Sequence, residues 1–232
     1  MENMFSTIAL EKKKSAQAAV FRQVYIWMSL ALFITGITAL IVAGNSSIMY
    51  KLSSNPILFW GIAIAEIVMV FILAGRIHKL SLATATFMFI VYSILNGITM
   101  SFLFLIYTSE SIAATFFITA GTFGAVSAYG YYTKKDLSSW GSIFIMALIG
   151  ILIATIVNLF LASETLYWII NYAGVLIFVG LTAYDTQKIK ENIMNSEANE
   201  TAYKIALMGA LELYLDFINL FIYLLRIVGD RD

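Results

Sequence analysis

The sequence has no cysteine, one histidine, one proline and few charged residues. Without cysteine the chain has no disulfide, no thiolate metal site and no cysteine nucleophile. A single histidine excludes metal sites built from several histidines. Charged residues make up 12% of the chain, about half their share in typical soluble domains, and basic and acidic residues balance at 14 each. No net field therefore favours nucleic acid as a partner.

Apolar residues are abundant instead and come in long runs. They make up 61% of the chain, and the mean hydropathy is +0.87. A helix of about 20 apolar residues crosses the hydrocarbon core of a bilayer. The sequence therefore predicts an all-α integral membrane protein with a tail at 1–23, a seven-helix domain at 24–228 and a tail at 229–232. The predicted spans are 24–43, 57–75, 80–106, 112–132, 139–162, 165–185 and 209–228. The third is longer than a bilayer requires, which predicts a tilted or protruding helix.

Basic residues alternate between the two sides of these spans. The N-terminal tail and the loops after the second, fourth and sixth spans contain them, whereas the other loops have one lysine at most. Lysine and arginine in short loops favour the cytoplasmic side. The N-terminus is therefore expected in the cytoplasm and the C-terminus, after seven crossings, on the opposite side. The basic loop residues are Arg76, Lys79, Lys134, Lys135, Lys188, Lys190 and Lys204.

The seventh apolar segment has polar residues on one helical face. Gly209, Glu212, Asp216, Asn219 and Tyr223 recur at steps of three and four. A charged side chain at the bilayer centre costs about 2.5–3.5 kcal/mol on translocon scales, so this face cannot meet lipid. The segment is therefore predicted to lie inside the bundle.

The depths of the charged residues in the membrane suggest which of them form ion pairs. Glu66 lies ten residues before Arg76 in the second span, and Arg226 lies ten residues after Asp216 in the seventh. Each interval is about 15 Å along a helix. Two antiparallel spans are thus expected to form two ionic layers, Arg76 with Asp216 and Glu66 with Arg226. Asp185, at the inner end of the sixth span, joins the first layer.

The first layer has a definite chemistry. Two aspartates within hydrogen-bond distance resist double ionisation and hold a shared proton, whereas Arg76 favours the ionised form. Asp185 and Asp216 are also candidate Ca²⁺ ligands with Asn219 nearby, although these groups are too few for a complete site. The alternative is that the charges only fix how the helices pack.

Three segments resemble the Bax inhibitor-1 family, also called the transmembrane Bax inhibitor motif family. They are 180–187 (GLTAYDTQ), 213–226 (LYLDFINLF through LLR) and 76–81 (RIHKLS). The compact chain with a short tail is similar to bacterial members, which implies a bacterial inner (plasma) membrane location. The resemblance implies a non-enzymatic, pH-sensitive calcium leak channel in which the seventh helix is central, with no cofactor and with Ca²⁺ as the transported ion.

The resemblance also implies roles for residues. Asp185 and Asp216 correspond to the pH sensor, Arg76 to its latch, and Glu66 with Arg226 to an outer ion pair. Glu212 and Asn219 are candidates for the ion pathway, and the roles of Glu212 and of the loop 188–202 are left open. The expected partners are calcium, the lipid bilayer and other membrane proteins, with no nucleic acid.

The sequence is compatible with some other functions and argues against others. A regulator or scaffold of membrane proteins, for instance of a membrane protease or of cell-death proteins, and a Ca²⁺/H⁺ antiporter both stay open. An intramembrane aspartyl protease would share the Tyr184-Asp185 pair, but the glycines around a second aspartate and a later proline are lacking. A retinal protein needs a lysine inside the seventh span, and the nearest, Lys204, lies at or outside its edge.

Smaller features give further predictions. The small residues of the fourth span, which include Gly121, Gly124 and Gly130, predict close helix packing. Asn96 and Asn158 are expected to hydrogen-bond across helices. Aromatic residues at span ends are expected to anchor the membrane interfaces. These are Trp60, Tyr131, Tyr132, Trp140, Tyr167 and Trp168.

Overall fold

Helices cover nearly the whole chain in the computed structural model, which describes the backbone of residues 2–196 and 200–231 and the side chains of 15–77, 79–196 and 201–231. Predictions that use the basic side chains before residue 15 or the loop at 197–199 lie outside this part. Its α-helices are α1 (Glu2–Ala43), α2 (Ser46–Ser54), α3 (Pro56–Arg76), α4 (Leu82–Met100), α5 (Ser109–Tyr132), α6 (Ser138–Leu161), α7 (Glu164–Asn195) and α8 (Glu200–Val228).

Seven helices in the described ranges are long and apolar enough to cross a membrane. They are α1 and α3 to α8, while α2 is a nine-residue helix that connects the first two spans. The prediction of an all-α integral membrane protein with seven transmembrane helices is therefore confirmed. The short α2 was not predicted, because its polar sequence SSIMYKLSS has no long apolar run.

Polar caps and one left-handed residue mark the ends of several spans. Asn55 accepts a backbone hydrogen bond at the start of α3, and Pro56 occupies its first turn. The hydroxyl groups of Ser81 and Thr108 cap α4 and α5 in the same way. These side chains satisfy N–H groups that the first helical turn leaves unpaired. α6 ends at Leu161, and the next residue, Ala162, has a left-handed φ of 47° that stops the helix.

The third predicted span contains a change of helix type. The α-helix ends at Met100, and a 3-10 helix continues over Ser101–Leu105. The Ser101 hydroxyl donates to the carbonyl of Ile98 at 2.6 Å, within the last α-helical turn. The apolar run therefore covers two kinds of helix, which its hydropathy alone could not distinguish.

The sixth and seventh spans are longer than their apolar runs. α7 continues ten residues beyond Asp185, and α8 begins nine residues before Gly209. The predicted loop at 188–202 is therefore largely wrong. Ile189 and Ala206, in the two extensions, are both buried. Polar residues alternate with these apolar ones, so the extensions are amphipathic and do not read as membrane spans.

α8 is the most buried of the spans. Its most apolar window is 67% buried, whereas the corresponding windows of α3 and α6 are only 6% buried. This agrees with the expectation that the last span lies inside the protein. α3 and α6 present most of their apolar side chains outward, as lipid-facing helices do.

Contacts divide the chain into two compact units. The first contains residues 1–105 and 189–214. In it, α4 packs along both α1 and α3, and α2 contacts both α1 and α3. Val42, Met49 and Leu52 form a small apolar core where α1 meets α2.

The second unit contains residues 106–188 and 215–232. Its apolar core joins α6, α7 and α8 and includes Phe178, Leu181 and Leu220. At one end of this unit the backbone of Tyr107 forms an isolated antiparallel bridge with Arg231. The segment after α8 is thus fixed against the segment before α5.

The glycines of α5 differ in their surroundings. A methyl group added at Gly130 would collide with the backbone carbonyl of Ala183 on α7, so this position needs glycine for the close approach of the two helices. The same group at Gly121 or Gly124 would meet nothing within 4 Å. The prediction of close packing by small residues is therefore confirmed at Gly130 and is wrong for the other two glycines.

Asn158 was predicted to hydrogen-bond across helices, but it makes no such bond to another helix among the described residues. Its side-chain oxygen accepts the backbone N–H of Ser163 at 3.0 Å. The amide oxygen therefore pairs with an N–H group of the short segment between α6 and α7.

Candidate functional site

Asp185 and Asp216 both belong to the second unit. Asp185 lies on α7, where its Oδ1 atom is 3.6 Å from the ammonium nitrogen of Lys188, one turn further along. Asp216 lies on α8, and its side chain is 5% exposed. A carboxyl group so deep in a membrane span is a functional candidate by default.

The packing of α7 on α8 indicates the level at which these residues lie. The rings of Phe178 and Tyr223 stack with centroids 5.8 Å apart, and Leu181 and Leu220 share one apolar cluster. These contacts follow one another in an antiparallel register. Continued by the same steps of three and four residues, the register reaches 185 on α7 and 216 on α8. The aspartate pair stays a prediction, and this register is compatible with it.

Three polar side chains are buried in the second unit without a hydrogen-bond partner among the described residues. They are Ser127 on α5 and Asn171 and Thr186 on α7. Asn171 is 0% exposed, and neither atom of its amide is paired. Natural proteins rarely leave buried polar groups in this condition, and such groups commonly pair with water or ions.

Two of these groups and Asp185 lie on one side of α7. Asn171, Asp185 and Thr186 fall within about a third of a turn of one another when 3.6 residues make a turn. They extend over about 22 Å of helix axis, at about 1.5 Å per residue, which is most of a bilayer core. Asn171 and Thr186 were not predicted from the sequence as site residues. The spacing of polar residues along the sixth apolar run and just after it was the signal that could have identified them.

Arg76 and Glu66 belong to the first unit. Arg76 is the last residue of α3, and its side chain is exposed. Glu66, half-buried in the same helix, accepts a hydrogen bond from the Thr99 hydroxyl and a longer one, 3.5 Å, from the Asn96 amide. The latch role of Arg76 stays a prediction.

A buried tyrosine extends the polar contacts of Glu66 in the first unit. The Tyr214 hydroxyl on α8 donates to the Asn96 side-chain oxygen at 3.0 Å and lies 2.7 Å from the Thr35 hydroxyl. The Thr35 hydroxyl is also 3.0 Å from the Ser93 carbonyl oxygen. We call these residues the Tyr214 cluster: Thr35, Glu66, Ser93, Asn96, Thr99 and Tyr214. It connects α1, α3, α4 and α8.

The Tyr214 cluster confirms one prediction and adds residues that sequence reasoning missed. Asn96 makes hydrogen bonds across helices, as predicted. Tyr214 and Thr35 were missed, because a tyrosine or threonine inside an apolar run is compatible with simple packing. Both are buried, so their hydroxyl groups need partners within the protein.

Arg226 lies in the second unit, with its guanidinium carbon 5.7 Å from the centre of the Tyr223 ring. Such a cation–π contact orients the guanidinium while leaving its charge in place. The outer ion pair of Arg226 with Glu66 stays a prediction.

The two pathway candidates have different surroundings. Glu212 lines a cavity of about 440 Å³ in the first unit, together with Asn192, Asn195 and Lys204. Asn219, in the second unit, donates its amide hydrogen to the carbonyl of Leu215 in its own helix at 2.8 Å. The pathway roles of both residues stay predictions.

The described residues contain no group of three or more His, Cys, Asp or Glu side chains placed to hold a metal ion. A calcium ion at Asp185 and Asp216 would therefore need carbonyl, amide, hydroxyl or water oxygens to reach its usual six to eight ligands.

Comparison with known proteins gives a consistent family. The family model described as inhibitor of apoptosis-promoting Bax1 matches residues 17–232. The inner membrane protein YbhL of Escherichia coli K12 is 48% identical over 211 residues, which cover 90% of each chain. A membrane protein of Streptococcus pyogenes is 39% identical over 78% of each chain, and a protein of Deinococcus radiodurans is 37% identical over the full length of both. The chain therefore belongs to the Bax inhibitor-1 family and is a multi-pass membrane protein.

Proposed function

We propose that the protein is a pH-sensitive calcium leak channel, which lets Ca²⁺ pass down its gradient across the membrane. The observation that carries this proposal is the set of buried polar groups at Ser127, Asn171 and Thr186, in the same unit as Asp185 and Asp216. Unpaired polar groups are costly in a membrane interior, so their presence favours a hydrated route. A route with carboxylate and amide oxygens suits a hard cation such as Ca²⁺.

In the proposed gate, Asp185 and Asp216 share a proton, and Arg76 is the latch. At high pH the shared proton, or a bridge through Arg76, holds α8 against α3 and α7 and closes the route. A change in protonation alters which carboxylate Arg76 can hold, and α3 moves. A differential of about 3.5 kcal/mol would shift a two-state equilibrium about 400-fold.

The proposed orientation follows the basic loops. The N-terminus is placed in the cytoplasm and the C-terminus on the opposite side, in a bacterial inner membrane. YbhL, the Escherichia coli relative, is named an inner membrane protein. Cysteine labelling from each side of intact cells, in single-cysteine variants of this cysteine-free chain, would test the orientation.

Calcium flux into liposomes containing the purified protein tests the function. The wild type should pass Ca²⁺ with a pH-dependent rate, and Asp185→Asn and Asp216→Asn should each change that dependence. Asn171→Leu should slow the flux at every pH, because it removes a polar group from the proposed route. Asp136→Asn is the control, since Asp136 lies between α5 and α6, outside the spans.

The outcomes separate the parts of the proposal. An unchanged pH dependence in both aspartate variants would refute the sensor, and an unchanged rate in Asn171→Leu would remove Asn171 from the route. A wild type that passes no Ca²⁺ would refute the channel itself. A Ca²⁺ flux that an imposed proton gradient drives uphill would indicate a Ca²⁺/H⁺ antiporter instead.

A regulator of other membrane proteins is the second candidate. The matching family model is described as an inhibitor of an apoptosis-promoting protein, and that description favours such a role. Purified protein that is inactive in liposomes but binds a membrane protease or another membrane protein in cells would favour it over the channel.

A further inference from the structure

A charged cavity lies at one end of the second unit. It has a volume of about 600 Å³ and is situated where α6 ends, α7 begins and α8 ends. Its charged lining residues are Glu164, Arg226 and Arg231, and Tyr167 and Trp168 also line it. Cavities of this size bind small molecules and headgroups.

Arg231 is held in place at this cavity. Its backbone pairs with Tyr107, its guanidinium donates to the Tyr167 hydroxyl at 3.2 Å, and the guanidinium carbon lies 5.9 Å from the centre of the Tyr107 ring. Interaction with Tyr107 raises the pKa of Arg231 above its ordinary value. The next residue back, Asp230, donates its backbone N–H to the Ser111 hydroxyl at 2.9 Å. A short segment beyond α8 thus presents a fixed positive charge.

Both guanidinium groups keep their charge available. Arg226 is oriented by the Tyr223 ring, and Arg231 by Tyr107 and Tyr167. Among the described residues of this unit, neither arginine has a carboxylate within salt-bridge distance. Two arginines against Glu164 give the lining a net charge of +1, which complements a singly charged phosphodiester. Arginine matches phosphate geometry because its planar N–H groups can donate two parallel hydrogen bonds.

The surroundings favour a lipid as the source of the phosphate. Tyr167 and Trp168 are the kind of residue that is enriched at the level of lipid headgroups. Next to the cavity, Phe160 is 85% exposed and Leu161 is 63% exposed at the end of α6, so apolar surface is available to an acyl chain. A headgroup in the cavity and a chain along this surface would be bound together.

We propose that this cavity binds the phosphate of an anionic phospholipid, with Arg226 and Arg231 as its ligands and Glu164 as an acceptor for a headgroup hydroxyl. Phosphatidylglycerol has both groups and a net charge of −1. Phosphatidylcholine has the same phosphate but adds a quaternary ammonium, which the net positive lining repels. The inference does not depend on the calcium proposal.

Native mass spectrometry of the full-length protein in detergent, with added lipid, tests this inference. The wild type should retain one phosphatidylglycerol in preference to phosphatidylcholine. Arg226→Gln and Arg231→Gln should each lower the bound fraction about tenfold, since each removes a charge-assisted hydrogen bond. Arg226→Lys should bind better than Arg226→Gln, because it keeps the charge. Arg22→Gln, on α1, is the control and should bind as the wild type does.

Three results would overturn the inference. Equal retention of the two lipids by the wild type would show that the lining does not select for charge. Unchanged retention in the double variant Arg226→Gln/Arg231→Gln would move the lipid away from this cavity. Displacement of phosphatidylglycerol by millimolar inorganic phosphate, with phosphate adducts in its place, would identify free phosphate as the ligand instead. Melting temperatures of all variants would show whether each one folds. If Arg226→Gln fails to fold, lipid retention by Arg231→Gln alone decides whether this cavity binds the lipid.

Discussion

Tyr214→Phe tests the Tyr214 cluster with the removal of a single oxygen atom. The hydroxyl donates to Asn96 at 3.0 Å and contacts the Thr35 hydroxyl at 2.7 Å. Thr35 keeps a second partner, the carbonyl of Ser93, after the change. Asn96 loses the donor to its side-chain oxygen at a position that is buried. The substitution therefore leaves one acceptor without a partner.

The expected loss of stability follows from this single unpaired acceptor. Hydrogen bonds between transmembrane helices contribute about 0.6 kcal/mol on average and about 1.7 kcal/mol at most. A buried acceptor left unsatisfied costs about 1–3 kcal/mol in proteins generally. The phenyl ring keeps the packing of Tyr214 against Phe89, so little apolar contact is lost. We expect Tyr214→Phe to lower the free energy of unfolding by about 1–2 kcal/mol.

Denaturant unfolding in mixed micelles, followed by tryptophan fluorescence, measures this loss. Tyr92→Phe is the matched control. Tyr92 is buried, its ring lies 5.8 Å from that of Tyr214, and its hydroxyl makes no hydrogen bond to a described residue. Its substitution should change the free energy of unfolding by less than about 0.5 kcal/mol.

A double-mutant cycle identifies where the cost arises. In an Asn96→Leu background the acceptor is absent, so Tyr214→Phe should cost clearly less than it does in the wild type. Equal costs in the two backgrounds would refute the argument that the unpaired Asn96 oxygen is the source. Equal effects of Tyr214→Phe and Tyr92→Phe would refute the role of the hydroxyl altogether.

Two further predictions concern the second unit. Gly130→Ala should lower the free energy of unfolding by about 1–3 kcal/mol, because the methyl group would meet the backbone of Ala183, which cannot rotate away; Gly121→Ala, with open space around it, is the control in the same unfolding assay. The pKa of Asp136 should lie below its ordinary value, because the hydroxyl and the backbone N–H of Ser138 donate to its carboxylate. Carbon-13 NMR of labelled aspartate measures that pKa, which Ser138→Ala should raise.

These two predictions have definite contrary outcomes. If Gly130→Ala and Gly121→Ala unfold at the same denaturant concentration, the close approach of α5 and α7 at this level is wrong. For Asp136 the folded pKa is the depressed one, so its stabilising contribution is present above the unfolded pKa and is lost as pH falls through the folded pKa. An ordinary pKa that Ser138→Ala does not change would contradict the hydrogen bonds.

Length and hydropathy were sufficient to predict the spans, because a bilayer sets both the length and the polarity of a helix that crosses it. They were insufficient for the helices that extend beyond the apolar runs, such as α7 and α8. Ile189 in α7 and Ala206 in α8 are buried in stretches that also contain charges, and only tertiary packing decides how far such helices continue.

The polar residues inside the spans were predicted unevenly. Charged residues such as Asp216 and Glu66 stand out in an apolar run, because their burial requires an explanation. Tyr214 and Thr35 do not stand out in this way, since each can be read as packing. Whether such a side chain meets a partner depends on the rotation and register of several helices, and one sequence does not specify these.

The distribution of burial among the spans has a consequence for how the protein is made. α3 and α6, which bury little, have mean hydropathies of 2.6 and 2.7 and can leave the translocon individually. α8 has a hydropathy of 1.7 and contains Glu212, Asp216 and Arg226, so its entry into lipid alone is unfavourable. It is synthesised after the other six, and helices already in the bilayer can receive its polar face. A polar insertion in the earlier spans that delays their entry into the bilayer should therefore leave α8 outside the membrane, where proteases can cleave it.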